Sequence, residues 1–246
     1  MILRTRRKGV GHWYDEHLEV IDALGSAWYY NWGPRPAGGA NAVKAEFVPM
    51  IWNGAFASVE NLAHVKTAGY KALLGFNEPD LDGHANMTVD EAVEYWPKLE
   101  ATGLRLGSPA PSVSPWLHEF MAKAGSRRLR VDFLCLHWYG DILKPDPVGD
   151  FRRFLERHCE RYRLPIWLTE FSGPAVPGRI PSVDDNARFA AESVAMLESL
   201  PFVECYAWFA PLVPADDDFV PTVALCAPDG SLTPVGLAWR VAPGGP

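Results

Sequence analysis

Short apolar runs alternate along the chain with longer stretches in which apolar residues recur every three or four positions. Continuous apolar runs of four to eight residues are typical of strands covered on both faces, and the three-to-four spacing indicates helices with one buried face. The pattern therefore predicts an alternation of strands and helices. The predicted strands are 8–11, 27–31, 47–52, 72–76, 104–108, 131–138, 166–169 and 203–209.

The stretches between the strands predict helices, some of them short, interrupted by proline or replaced by irregular chain. Ser58 is placed to cap one helix, and residues 88–91 form a capping box that opens a helix which Pro97 should kink or shorten. The crossover over 31–46 is short for a helix and is expected to be irregular. The remaining predicted helices are 14–24, 116–124, 151–162, 184–200 and 235–240.

The number of strands favours a closed parallel barrel. Parallel strands need crossovers of about a dozen residues or more, and the spacing here permits them. A doubly wound open sheet is the alternative, but no GxGxxG turn follows an early strand. We therefore predict the α/β class, with a single domain over 1–246 that forms a (β/α)8 TIM-like barrel with some short or irregular helices.

Composition excludes several classes of protein. The 246 residues carry 23 Lys and Arg against 30 Asp and Glu, a net charge of -7 that disfavours binding to nucleic acid. No apolar run is long enough to span a membrane, and the start of the chain lacks an apolar stretch of signal-peptide length. The 4 cysteines lack metal-ligand spacing. We expect no cofactor and no metal.

The predicted strand ends collect residues suited to a sugar site. Active sites of such barrels lie at the C-terminal ends of the strands. Aromatic faces at these positions provide platforms for sugar rings. Five of the 10 tryptophans lie near predicted strand ends, namely Trp28, Trp32, Trp52, Trp138 and Trp208.

Two glutamates are the clearest chemical feature. Glu78 follows the fourth predicted strand and Glu170 the seventh, so barrel closure places both at one mouth. Hydrolysis of a glycosidic bond uses one carboxylic acid to protonate the leaving oxygen and a second carboxylate at the anomeric carbon. Because two carboxylates in one cleft do not ionise easily together, we expect the pKa of one to rise.

Four blocks of the sequence carry a family resemblance. They are Tyr30-Asn31-Trp32-Gly33, Gly75-Phe76-Asn77-Glu78-Pro79, Leu136-His137-Trp138-Tyr139 and Leu168-Thr169-Glu170-Phe171. The Asn-Glu-Pro segment resembles the acid/base signature of clan A glycoside hydrolases. The four blocks together resemble glycoside hydrolase family 128, whose members are β-1,3-glucanases with a compact barrel.

The resemblance implies a role for each matching residue. Glu78 would be the general acid/base and Glu170 the nucleophile of a retaining endo-β-1,3-glucanase. Asn77 would bind the 2-hydroxyl of the cleaved sugar, Tyr139 would orient Glu170, and His137 would support that network. The further substrate contacts implied are Trp138, Trp208, Trp28, Asn31 and Trp32.

Two alternatives remain at this stage. Another clan A β-glycanase, acting on β-1,4 or mixed linkages, would carry similar blocks. A non-catalytic β-glucan-binding barrel would keep the tryptophans but would not need both glutamates. The expected partner is a β-1,3-glucan polysaccharide or oligosaccharide, with no nucleic acid and no membrane, and the protein is expected to be a monomer. The resemblance also implies a secreted or extracytoplasmic location, although no signal peptide is visible in this chain.

Overall fold

Strands and helices alternate along nearly the whole chain. The structure is a computed structural model that describes residues 7–13, 17–38, 42–213 and 217–242. The strands in these ranges are β1 (Lys8–Gly11), β2 (Trp28–Tyr30), β3 (Glu46–Phe47), β4 (Ala72–Leu73), β5 (Arg105–Leu106), β6 (Leu134–Trp138), β7 (Ile166–Phe171) and β8 (Val203–Trp208). The helices are α1 (Glu19–Ala23), α2 (Val59–Thr67), α3 (Val89–Glu100), α4 (Ser114–Ser126), α5 (Pro147–Tyr162), α6 (Val183–Glu198) and α7 (Pro234–Val241).

The strands close into a parallel barrel. One sheet has the order β3-β2-β1-β8-β7-β6, and β4 pairs with β5 in a second, two-stranded sheet. Single parallel bridges join the two sheets at both edges, between Met50 and Leu74 and between Gly107 and Phe133. The circuit of eight strands is therefore complete, and the predicted (β/α)8 barrel is confirmed.

The third and fourth strands are shorter than the sequence pattern predicts. The apolar runs 47–52 and 72–76 give only two ladder residues each. Pro49 interrupts the first run, because proline has no N–H to donate, although its carbonyl accepts a bond from Leu74 N at 2.9 Å. Hydrophobic periodicity does not detect such an interruption.

The crossovers agree with the predicted pattern in most places. No helix occurs between β2 and β3 within 31–38 and 42–45, as expected for an irregular crossover. Helix α1 begins at Glu19, and residues 14–16 of the predicted helix lie outside the described part of the chain. The capping box at Thr88 is present. Helix α3 nevertheless continues past Pro97 to Glu100, so the expected shortening at this proline was wrong.

Side chains of the strands alternate between two apolar layers. Trp28 and Tyr30 belong to the cluster inside the barrel, together with Phe133 and Cys135, whereas Tyr29 belongs to the layer between strands and helices. This alternation follows from the two-residue period of a strand. No helix in the described ranges has both the length and the apolar character needed to cross a membrane.

Candidate active site

A cavity of about 610 Å³ opens at the C-terminal mouth of the barrel. Segments that follow seven of the strands contribute to its wall, as expected for this fold. The cavity has a polar floor and largely aromatic sides. The lining residues are Trp13, Trp32, Trp52, Asn77, Glu78, Leu81, His84, Ser112, His137, Tyr139, Glu170, Phe209 and Phe219.

Glu78 reaches the cavity through an unusual backbone conformation. Its φ angle is 42°, a left-handed value that is uncommon for a residue with a Cβ. The preceding residues alternate as in a strand, with Phe76 in the outer apolar layer and Asn77 lining the cavity. The left-handed turn breaks this alternation, so that Glu78 faces the cavity as well. Its N–H donates to Ala110 O at 2.9 Å, which holds the turn.

Glu170 is turned into the cavity by a β-bulge in β7. Strand pairing joins Leu136 with Leu168 and His137 with Glu170, which leaves Thr169 as an extra residue. An extra residue shifts the alternation by one position and redirects the next side chain. The sequence pattern alone does not locate this bulge.

Three side chains donate hydrogen bonds to the Glu170 carboxylate. Tyr30 Oη shares its proton between Oε1 at 3.2 Å and the carbonyl oxygen of Thr169 at 3.0 Å, and Trp32 Nε1 donates to Oε1 at 2.9 Å. Tyr139 Oη donates to Oε2 at 2.6 Å. Bonds to a charged acceptor are the strong ones, so these three donors fix the orientation of the carboxylate.

His137 lies between the two glutamates. Its Nδ1 is 3.0 Å from Glu78 Oε1. Its Nε2 is 3.4 Å from Glu170 Oε1, outside the geometry of a hydrogen bond, and has no closer partner among the described residues. The imidazole is buried, with 1% of its side chain exposed. One ring therefore connects the two carboxylates electrostatically.

In the Glu78–His137 pair, the imidazole binds a proton more readily than the carboxylate does. Burial raises the pKa of Glu78. The hydrogen bond from His137 and the positive charges of His137 and His84 lower it by more, so the pKa of Glu78 falls below its ordinary value. Burial lowers the pKa of His137, and the charge of Glu170 and the bond to Glu78 raise it above its ordinary value. The expectation of a raised carboxylate pKa is wrong for Glu78, because the imidazole of His137 lies between the two acids and lowers the pKa of Glu78.

The two carboxylates lie close together. One oxygen of Glu78, one oxygen of Glu170 and a nitrogen of His137 are all within 4.8 Å of one another. Carboxyl groups about 5–5.5 Å apart suit a retaining glycosidase, whereas an inverting enzyme needs about 6.5–9.5 Å to admit a water. The approach of one oxygen from each carboxylate to within 4.8 Å agrees with the shorter of these two spacings.

These three residues could in principle hold a metal ion, since their ligand atoms converge. A histidine ligand must be neutral, however, and the neighbouring carboxylates raise the pKa of His137. Both oxygens of Glu170 also accept hydrogen bonds, and each oxygen of Glu78 lies within 3.0 Å of an imidazole nitrogen. The donor set fits a hydrogen-bonded acid pair better than a metal centre.

Asn77 brings an open hydrogen-bonding position to the cavity. Its side chain is buried and lines the cavity beside Glu78. Its Oδ1 has no hydrogen-bond partner within the described residues. Because a buried polar atom without a partner costs free energy, this oxygen is placed to accept a bond from a bound ligand.

Four of the predicted substrate-binding residues do not line the cavity. Trp138 stacks on Phe151 at 4.4 Å between ring centroids, outside the barrel. Trp208 is fully buried and donates from Nε1 to Val223 O at 2.9 Å. Each follows a residue whose side chain faces inward, so the two-residue period turns both tryptophans outward.

The other two of these four residues lie on or next to β2. Trp28 faces inward but sits one layer below Tyr30, where it packs on Trp167 and donates to Arg7 O at 3.0 Å. Asn31 closes a local turn, accepting from Gly33 N at 3.1 Å and donating to Arg35 O at 2.9 Å. The predicted residues that do converge on the cavity are Glu78, Glu170, Asn77, His137, Tyr139 and Trp32.

Several cavity residues had no predicted role. Trp13 and Phe209 form a continuous aromatic wall with Trp32, with centroid distances of 5.2 Å for Trp13–Trp32 and 5.3 Å for Trp13–Phe209. Phe219 continues the wall through Tyr139 at 5.4 Å. Strand alternation would have selected Phe209 over Trp208. The remaining unpredicted contacts to the glutamates come from Tyr30 and His84.

Comparison with known proteins identifies related sequences and structures. A family model described as a glycosyl hydrolase catalytic core matches residues 12–239. Alkali-sensitive linkage protein 1 of Schizosaccharomyces pombe is 32% identical over 223 residues, which are 86% of this chain and 39% of that protein. The chain thus spans about two fifths of the length of this curated relative.

Two solved structures resemble this one over nearly its full length. An endo-β-1,3-glucanase of glycoside hydrolase family 128, subgroup I, from Amycolatopsis mediterranei was solved with laminaritriose; it is 38% identical, with a TM-score of 0.88 over 97% of this chain and 100% of that one. A subgroup II endo-β-1,3-glucanase from Sorangium cellulosum is 27% identical, with a TM-score of 0.83 over 97% and 99% of the two chains.

Proposed function

Because this chain belongs to the glycosyl hydrolase catalytic core family, and within it to glycoside hydrolase family 128, we propose that it is a retaining endo-β-1,3-glucanase. The observation that carries this proposal is the pair Glu78 and Glu170, with carboxylate oxygens within 4.8 Å at the floor of an aromatic cavity. A non-catalytic binding barrel would have no need of this spacing.

Glu170 is the nucleophile in this proposal. It attacks the anomeric carbon, a C–O bond forms to one carboxylate oxygen, and the bond to the leaving glucan breaks. The three donors Tyr30, Trp32 and Tyr139 support this role, because they fix the carboxylate while leaving it a lone pair for attack. Fixed orientation lowers the entropic cost of reaching the attacking geometry.

Glu78 is the general acid and then the general base. It first transfers a proton to the glycosidic oxygen of the departing glucan. It then takes a proton from the water that hydrolyses the glycosyl-enzyme, so that its own proton is restored at the end of each cycle. Its bond to His137 supports this role, because the imidazole provides a proton store next to the acid.

The cavity wall supports a glucan as the ligand. Asn77 Oδ1 lacks a described partner and would accept a bond from the sugar 2-hydroxyl. The aromatic wall of Trp13, Trp32 and Phe209 would bind the apolar faces of sugar rings.

All these residues belong to one chain, which supports the further proposal that the protein acts as a monomer. Its molar mass in light scattering tests this proposal.

The experiment that tests the substrate is reducing-sugar release from linear β-1,3-glucan, branched β-1,3-glucan, cellulose, xylan and mannan. We expect release from the β-1,3-glucans alone, with oligosaccharides of mixed length as early products. Release from cellulose or xylan would assign the protein to another β-glycanase activity. Retention of glucan without any release would favour the binding barrel.

Substitution separates the two glutamates by role. Glu170→Gln should abolish turnover of every glycoside. Glu78→Gln should lose about a thousandfold or more on glucan, but should still form the glycosyl-enzyme from an aryl glycoside with a good leaving group, because that step needs no acid. Equal loss on both substrates for Glu78→Gln would contradict the assignment of Glu78 as acid.

A further inference from the structure

Each carboxylate oxygen of Glu78 contacts an imidazole nitrogen. Oε1 contacts His137 Nδ1 at 3.0 Å, and Oε2 contacts His84 Nδ1 at 2.9 Å. A general acid must present one oxygen to the glycosidic oxygen of its substrate at hydrogen-bond distance. Each imidazole therefore competes with the entering sugar for one oxygen of Glu78.

His84 is the partner that is free to leave. Its side chain is 45% exposed, against 1% for His137, and it lies in the loop between Glu78 and α3. His137 is fixed in β6 between two carboxylates. The loop that carries His84 is anchored by Ala85 N, which donates to Asn77 O at 3.2 Å. Rotation of the exposed ring is thus the smallest change that uncovers an oxygen of Glu78.

Taking Glu78 as the general acid of the proposed function, we propose that His84 is a positioning residue that covers the proton-donating oxygen of Glu78 and withdraws from it when the sugar binds. Oε2 is then the oxygen that carries the donated proton, since Oε1 stays bound to His137.

The charges around Glu78 give this movement a chemical effect. His84 and His137 are the two imidazoles at the carboxylate, and of the two only His84 is exposed. Because the positive charge of His84 contributes to the lowered pKa of Glu78, its withdrawal raises that pKa and favours the protonated acid once substrate is in place. The other titratable groups that face this cluster are Glu170, Tyr30, Tyr139 and Asp80.

The pH profiles of kcat/KM and kcat test this proposal on a soluble β-1,3-glucan. The first reports ionisation in the free enzyme and the second in the substrate complex. In His84→Gln the fall of kcat/KM with rising pH should begin at higher pH, with a gain of about three- to tenfold on that limb. The basic limb of kcat should not move, because His84 has already withdrawn in the complex.

A second variant at the same position changes the sign of the expected effect. His84→Lys restores a cation, so its kcat/KM limb should lie at or below the wild-type position. His64→Gln, on α2 with its ring near Tyr70, is the matched control and should leave both profiles unchanged. Melting temperatures of all variants verify that they are folded.

Three results would overturn the proposal. Unchanged kcat/KM and kcat profiles in His84→Gln would mean that the contact has no influence on the acid. Equal shifts of both limbs would mean that His84 stays on Glu78 in the complex. A uniform loss of rate at every pH would indicate a structural role. In each case Glu78→Gln remains inactive on glucan if the proposed function holds, whereas an active Glu78→Gln would refute that function itself.

Discussion

At the scale of single residues, the hydrogen-bond donors around the Glu170 carboxylate fix its orientation. Tyr139 makes the shortest of the three contacts, 2.6 Å to Oε2. Burial and the charge of Glu170 raise the pKa of Tyr139 well above its ordinary value, so the phenol keeps its proton as a donor. A hydrogen bond to a charged group contributes about 1.5–3 kcal/mol.

Tyr139→Phe removes this donor and should therefore lower kcat about 10- to 100-fold, with little change in the melting temperature. Steady-state kinetics on β-1,3-glucan measure the effect. Tyr206→Phe is the matched control, because Tyr206 Oη also donates to a glutamate, Glu198 Oε1 at 2.7 Å, in the outer layer away from the cavity. An equal loss of kcat in both variants would contradict the role given to Tyr139.

At the scale of elements, strand alternation decides which aromatic residues reach the cavity. Along β8 and the residue that follows it, Ala207 lies inside the barrel, Trp208 in the outer layer and Phe209 in the cavity wall. The sequence indicated correctly that aromatic residues collect at strand ends. It did not indicate which of two adjacent aromatics faces inward, because that depends on bulges and left-handed turns.

Trp208→Ala and Trp13→Ala should consequently have opposite consequences. The first empties a fully buried site and should lower the free energy of unfolding by about 3–5 kcal/mol. The second removes a side chain that is 37% exposed in the cavity wall, and should raise KM about three- to tenfold with little loss of stability. Denaturant titration and kinetics on both variants measure this. The reverse pattern would contradict the orientation of β8.

Barrel closure between β4 and β5 depends on a close backbone approach at Gly75. A Cβ there would lie 2.8 Å from the carbonyl oxygens of Gly107 and Ser108. Gly75→Ala should therefore cost about 1–3 kcal/mol of unfolding free energy. Gly125→Ala in α4, where a Cβ meets nothing within 4 Å, should instead stabilise by about 0.5–1 kcal/mol. Equal effects in denaturant titrations would contradict this account.

At the scale of the whole molecule, the sequence predicted the barrel and the position of the two glutamates. Eight apolar runs with crossovers of sufficient length are enough to indicate the fold, because a closed parallel sheet buries each strand on both faces. The contacts of His84 and the inward turn of Glu170 were not predicted. They depend on a loop conformation and on the bulge at Thr169, neither of which has a hydrophobic period.

The Glu78–His137 pair links the stability of the molecule to pH. A depressed pKa of Glu78 contributes stability above its ordinary value of 4.5, which is lost as the pH falls through the depressed value. A raised pKa of His137 contributes stability below 6.5, which is lost as the pH rises through the raised value. The pair should therefore stabilise the fold most between about pH 4.5 and 6.5.

Melting temperatures of wild type and His137→Gln across pH 3 to about 9 test this linkage. The difference in melting temperature between wild type and His137→Gln should be largest between about pH 4.5 and 6.5, and it should shrink on both sides of that window. A difference in melting temperature that does not vary with pH would mean that His137 stabilises the fold through packing alone.

The central claim is double displacement on a β-1,3-glucan by two glutamates whose carboxylate oxygens lie within 4.8 Å. The most direct measurement is the proton NMR spectrum of the anomeric region during the first minutes of laminarin hydrolysis. The account predicts that the β-anomer of the new reducing end appears first and that the α-anomer follows only by mutarotation. Initial appearance of the α-anomer, or no new reducing ends at all, would contradict it.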